Sequence, residues 1–137
     1  MVKSMSEKEC AVAIYLYGED IHLDASSELL GLAPTRTGRR GEPRSRSSAQ
    51  QSIRKIGFWE YREHAEVREI ESTLNKVLMS IKATDAVVGR AGITRADLDI
   101  FKPLDPNDDP MGFSFDLSPS LLHRIAQLGF NLIVTAR

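Results

Sequence analysis

GFSFDLSPSLLHRIAQLGFNLIVTAR, residues 112–137, is the stretch from which the fold class can be read. Phe113, Phe115 and Leu117 alternate with Ser114 and Asp116, the two-residue period of a strand with one buried face. Ser118 offers an N-cap hydroxyl, and Pro119 stands at the first helical position, where its missing N–H is harmless. A helix is expected to start there. Leu121, Leu122, Ile125 and Leu128 share one stripe, and Gly129 follows where a left-handed cap residue is wanted. Leu132, Ile133, Val134 and Thr135 then form a second strand of aliphatic and β-branched residues. The unit is strand, helix, strand, which sets architecture and carries no chemistry.

Working outward, Ala11 to Tyr17 is apolar on both alternating faces, as a central strand with neighbours on each side must be. Asp24 is a candidate cap for a short helix with Leu29, Leu30 and Leu32 as its apolar positions, Gly31 near its end and Pro34 beyond. This order, strand, capped helix with a Leu-Leu pair, glycine, extended chain, repeats the C-terminal one and admits either a duplication or shared supersecondary structure. Thr35 to Gly41 reads as a strand, and Glu42 to Gln51 as a surface loop, since nothing in it larger than Ala49 is apolar. Arg54 to Arg62 is a further strand, with Ile56 and Phe58 on one face and Gly57, Trp59 and Tyr61 on the other. Trp59, the only tryptophan, is the expected core anchor.

Val67, Ile70, Leu74, Val77, Leu78 and Ile81 recur at helical spacing and predict a long helix. Thr84 to Ala91 would add one or two turns, closed by Gly92, and Leu98 with Ile100 marks a strand ending at Pro103. Leu104 to Met111 is a loop of Pro, Asp and Asn. Helices and strands mix without strict alternation. The expected fold is therefore α+β, a single domain over residues 10–137 with a mainly antiparallel sheet, helices mostly on one face and a basic loop at about 42–53. Residues 1–9 read as a disordered lead.

The chain of 137 residues is long enough to bury a core without staples. Its single cysteine, Cys10, suits a reducing, cytoplasmic setting, and the longest apolar run, Cys10 to Tyr17, is far short of the roughly 20 residues that span a bilayer. The net charge of −1 conceals an uneven layout. Arg36, Arg39, Arg40, Arg44, Arg46, Arg54 and Lys55 face only Glu42, a local charge of +6, while the rest of the chain holds 11 basic and 18 acidic residues. One arm is basic and the body is acidic.

A second signal is the string YGEDIHLDASSELLGLAPTRTGRRGEP with the later strand tryptophan and the closing FDLSPSLLHRIAQLGFNL. Gly18 with Asp20, Leu29-Leu30-Gly31, Pro34-Thr35, Gly41-Glu42-Pro43, Trp59 and Leu128-Gly129 resemble the pattern of the bacterial domain of unknown function 4279 family over nearly the whole chain. The insertion from Arg44 to Gln51 departs from it. That family has no assigned activity, so the resemblance implies an architecture and no reaction.

Reactive constellations are sparse. Cys10, His22, His64 and His123 are scattered, and no Gly-x-Ser-x-Gly elbow accompanies them. An enzyme would need a hollow that gathers one of these histidines with a carboxylate. Asp105, Asn107, Asp109 and Asp116 have the spacing of a calcium loop, but Pro110 occupies the position that wants glycine, and a solvated turn is the better reading. Gly38-Arg39-Arg40-Gly41 lacks the Lys-Ser/Thr ending of a phosphate loop. No catalytic residue, metal or cofactor is expected. The expectation is a small, non-enzymatic, cytoplasmic protein-binding module of an accessory or immunity type that masks another protein. Arg36, Arg39, Arg40 and Arg44 would carry the binding, with Asp20 and Glu28 as a second, acidic patch. The alternative is a nucleic-acid or phosphate ligand on the same arm, with Phe58, Trp59 and Tyr61 nearby for stacking, which the acidic body opposes. A free edge strand would also admit a homodimer.

Overall fold

The computed structural model describes residues 10–44, 52–103 and 114–136. Among these residues five strands form one sheet in the order β2-β3-β1-β4-β5. The central strand β1 (Cys10–Gly18) pairs antiparallel with β3 (Gly57–Ala65) on one side and β4 (Arg95–Lys102) on the other. Its composition explains its place: Cys10, Val12, Ile14 and Leu16 are fully buried on one face, and Ala11 and Ala13 are at most 2% exposed on the other. The short β2 (Arg36–Gly38) adds antiparallel to β3, and β5 (Asn131–Ala136) adds parallel to β4, so these two are the sheet's edges. The fold is α+β with a mainly antiparallel sheet, as the sequence predicts; β4 and β5 make the one parallel pair among the described strands.

Three helices accompany it among the described residues: α1 (Leu23–Leu30), α2 (Ile70–Ser80), entered through a 3₁₀ turn at Val67–Glu69, and α3 (Pro119–Gln127). Every buried apolar residue of these helices, Leu30, Ile70, Leu74, Val77, Leu78, Leu121 and Ile125, belongs to one cluster with Cys10, Val12, Ile14 and Leu16 of β1 and with Trp59, Leu98 and Ile100 beside them. The register places those strand residues on a common face, because Leu16 lies opposite both Trp59 and Ala96, and Ile14 opposite both Tyr61 and Leu98. Trp59 is fully buried and donates its indole N–H to Ser27 Oγ of α1 at 2.9 Å, which satisfies the one polar atom of the core anchor.

The caps follow the chain's own signals at α3, where Ser118 Oγ accepts from the Leu121 N–H, and at the end of α1, where Gly31 is left-handed at φ 71°. At the start of α1 the expectation is corrected: His22 is the N-cap, and Asp24 lies within the first turn, where its charge suits the helix dipole. Thr84 to Ala91 is not a helix. Gly89, Ala91 and Gly92 all have positive φ, and the backbone instead closes turns through Arg90 N–H to Val87 O and Ile93 N–H to Arg90 O. Ser114 to Leu117 is not a strand either; Phe115 and Leu117 are half-buried and pack against the core. The alternating pattern there reports a one-sided contact with the core, which extended chain makes equally well. Phe113, the Leu104 to Met111 loop, the 1–9 lead and residues 45–51 of the basic loop lie outside the described residues.

Candidate functional site

Side chains on the sheet's second face alternate with those of the core and belong to a different chemistry. Across the sheet this face carries Arg36, then Phe58, Glu60 and Arg62, then Tyr17, Tyr15 and Ala13, then Arg95, Asp97 and Asp99, then Asn131, Ile133 and Thr135. None of them joins the apolar cluster. Glu60 is 3% exposed and is held between two arginines: Arg36 donates from Nε and Nη2 to Oε1 at 3.0 and 2.9 Å, and Arg62 donates from Nε to Oε2 at 2.9 Å. Arg62 also donates from Nη2 to the Tyr15 hydroxyl at 2.7 Å. Burial works against the Arg62 charge, but the bonds to Glu60 and Tyr15 outweigh it and hold its pKa above the ordinary value. On the other side, Asp97 accepts from Arg95 Nε and from Asn131 Nδ2, each at 3.0 Å, and Asp99 accepts from Thr135 Oγ1 at 3.1 Å. The Tyr15 and Tyr17 rings stack between these two groups, 6.0 Å apart and nearly parallel. Partial burial, with the Asp97 carboxylate second, raises the Tyr17 pKa.

This lattice leads directly into the basic arm. Arg36 sits on β2, and its guanidinium and that of Arg54 lie over the Phe58 ring at 5.1 and 4.5 Å. Gly38 makes the sandwich fit, since a β-carbon there would come 2.4 Å from the Phe58 ring. The described roots of the loop are paired: Pro43 bridges Ile53, Arg44 N–H donates to Ser52 O at 2.9 Å, and Arg54 N–H to Glu42 O at 2.8 Å. Arg39, Arg40 and Arg44 are exposed beside them. Arg40 reaches Asp20 at 3.4 Å and Glu19 at 3.8 Å, so the structure brings the first acidic residue of the expected second patch against the arm itself. Glu28 lies elsewhere, on α1, at the rim of a hollow bounded by Lys82, Thr84 and Arg90.

The histidines do not converge. His22 caps α1 after the Gly18 end of β1, whereas His64 lies opposite Ala11 at the other end, a span of roughly 23 Å of extended chain. His123 is exposed on α3. Asp105, Asn107 and Asp109 lie outside the described residues, and Asp116 is exposed; among the described residues no three His, Cys, Asp or Glu side chains gather as for a metal ion. No helix among the described residues is long and apolar enough to cross a membrane.

Reading the sequence misses the carboxylates of the second sheet face, Glu60, Asp97 and Asp99. Their signal is present, because Asp97 and Asp99 alternate with Leu98 and Ile100, and Glu60 with Trp59 and Tyr61. What the alternation does not tell is which donor each one meets from a neighbouring strand, Arg36 for Glu60, Asn131 for Asp97 and Thr135 for Asp99, since those partners are set by register. Trp59 and Tyr61 point into the core cluster or pack against it, so of the three aromatics considered for base stacking only Phe58 faces the arm.

Neither the curated proteins nor the solved structures contain a significant match to this chain. A protein family does match, over residues 8–136 and so over nearly the whole sequence, in agreement with the glycine, proline and tryptophan pattern read from the residues. The chain belongs to the family described as Domain of unknown function (DUF4279).

Proposed function

We propose that this protein is a non-enzymatic, cytoplasmic binding module of accessory or immunity type, which captures an acidic partner protein through the arm that runs from Arg36 to Arg44. One observation carries the proposal. Arg36 and Arg54 are fixed against Phe58 at the β2 edge of the sheet, and the exposed Arg39, Arg40 and Arg44 continue from them along the paired roots of the loop. Guanidinium groups held this way lose little freedom on meeting carboxylates, and a short edge strand beside them leaves backbone groups for a partner segment. Nucleic acid is the weaker reading of the same arm. Trp59 is sealed in the core and the Phe58 ring is occupied by two guanidiniums, which leaves little aromatic surface for bases.

The arm can be tested without touching the fold if Arg36 is kept, because its loss would strip one partner from the buried Glu60. The R39A/R40A/R44A protein is expected to melt with the wild type and to bind a fluorescent Asp/Glu-rich peptide about tenfold more weakly, read by anisotropy. Equal peptide binding by both proteins removes the proposal. Preference for a labelled single-stranded oligonucleotide, with affinity falling steeply in salt, transfers it to the nucleic-acid reading.

A further inference from the structure

Between α1 and the chain that follows α2 lies a hollow of about 510 Å³, a size within the range of small-molecule sites. Lys82, Thr84 and Arg90 stand on one side and Glu28 on the other, over a lining of small apolar groups that includes Ala25 and Ala91. We propose that this hollow binds a small organic anion, a carboxylate or phosphate monoester, that also carries an amine or hydroxyl donor.

The charges set the ligand class. Outside the exposed arm, several guanidiniums are used internally: Arg36, Arg62 and Arg95 bridge buried carboxylates, and Arg124 donates to the Ile81 and Ala83 carbonyls at 3.1 and 2.9 Å. Lys82 and Arg90 make no side-chain hydrogen bond or ion pair with any described residue, yet both border the same hollow. Two cations against Glu28 leave one positive charge for an anion to balance, while the Glu28 carboxylate is an acceptor for a donor on the same ligand. The methyl groups of the lining admit a short aliphatic body.

The wall is also prepared in advance. Residues 81–94 have no regular structure, but they are tied to two helices, α1 and α3: Lys82 N–H to Leu30 O at 2.8 Å, Val87 N–H to Leu128 O at 3.1 Å, His22 N–H to Ala91 O at 2.9 Å, and the Arg124 pair. Val87 and Ile93 anchor the segment in the core, being at most 1% exposed. Ala91, between them, is the one non-glycine residue with positive φ among the described residues, at 51°. A coil held so firmly, with a disfavoured backbone angle at the rim of a charged hollow, fixes the backbone from which its two cations project, so that on binding only their side chains are left to order.

Amide NMR of the full chain, titrated separately with inorganic phosphate, ribose 5-phosphate and L-aspartate, tests this. Saturable shifts of Thr84, Arg90 and Ala91 are expected with at least one of the two organic anions, and the arm that responds tells phosphate from carboxylate. Lys82→Gln and Arg90→Ala should each weaken that binding about tenfold, and Arg90→Lys should recover part of it. Glu28→Gln should weaken the organic anion and leave inorganic phosphate unaffected. Failure of both organic anions to shift those amides overturns the proposal, as does wild-type affinity in Lys82→Gln. Should Arg90→Ala not fold, Lys82→Gln and Glu28→Gln carry the same test.

Discussion

Glu60 shows how far a single residue's place can differ from its type. A glutamate in a strand is expected in solvent, yet this one is 3% exposed and bonded by Arg36 and Arg62, whose own side chains are 64% and 31% exposed. The arginines keep part of their hydration while the carboxylate gives up its own, so the pair avoids the full penalty of a buried ion pair. Glu60→Gln should lower stability by about 1–2 kcal/mol, read from the urea midpoint, because it leaves an amide facing two cations. Tyr17 offers a pH test. Its folded pKa is raised above 10.0, so the folded state holds a proton that the unfolded chain releases first. The stabilisation is complete below about pH 10, falls as the pH rises through the folded pKa, and is absent beyond it. Urea titrations from about pH 9 to about pH 11 should show this loss, and Tyr17→Phe should be less steep over that window. A Tyr17→Phe protein with the wild-type slope would remove the assignment.

At the scale of elements, α1 is an eight-residue helix that could not persist alone, and what holds it is its contact with the sheet. Leu30 is fully buried in the common cluster, and Ser27 accepts the Trp59 indole hydrogen bond. Ser27→Ala should therefore cost about 1–2 kcal/mol by leaving a buried N–H unpaired, and should alter the fluorescence of the only tryptophan. An unchanged spectrum and melting point would mean that the bond contributes nothing. The same logic explains the two elements that the sequence suggests and the structure lacks. Residues 84–91 hold Thr84, Asp85, Val87, Val88 and Gly89, all weak helix formers, and tertiary ties to α1 and α3 select turns with left-handed residues at Gly89, Ala91 and Gly92. Phe115 and Leu117 show strand periodicity, but both edges of the sheet among the described residues lie elsewhere, and the pair packs against the core.

For the whole molecule, the sheet has one edge charged and one edge apolar. β2 ends in the arginine arm, whose like charges oppose pairing between two copies of this edge while suiting an acidic partner, whereas β5 exposes Leu132 and Val134 at 38% and 50%. Self-association, if the chain undergoes it, should run through β5. Val134→Lys is expected to leave the urea midpoint within about 0.5 kcal/mol of wild type and to reduce light scattering at high concentration. Undiminished scattering in that variant would place any association elsewhere. The acidic body and basic arm meet at Arg40 with Glu19 and Asp20, an exposed contact of small energetic weight that a competing acidic partner could displace.

The sequence alone determined the central position of the Ala11 to Tyr17 strand, the burial of Trp59, the span and caps of the last helix and the α+β class, because apolar periodicity and capping chemistry act over a few residues. Family membership was legible in the same way, from glycines and prolines whose roles are local. Only the tertiary structure decided that Glu60 belongs to Arg36 and Arg62, that Arg40 faces Asp20, and that Lys82 and Arg90 share a hollow with Glu28. Apart from Arg62, two positions from Glu60 on the same strand, these partners lie twenty or more positions away in sequence and are brought together by strand register and helix docking, which no short-range pattern in a single chain encodes.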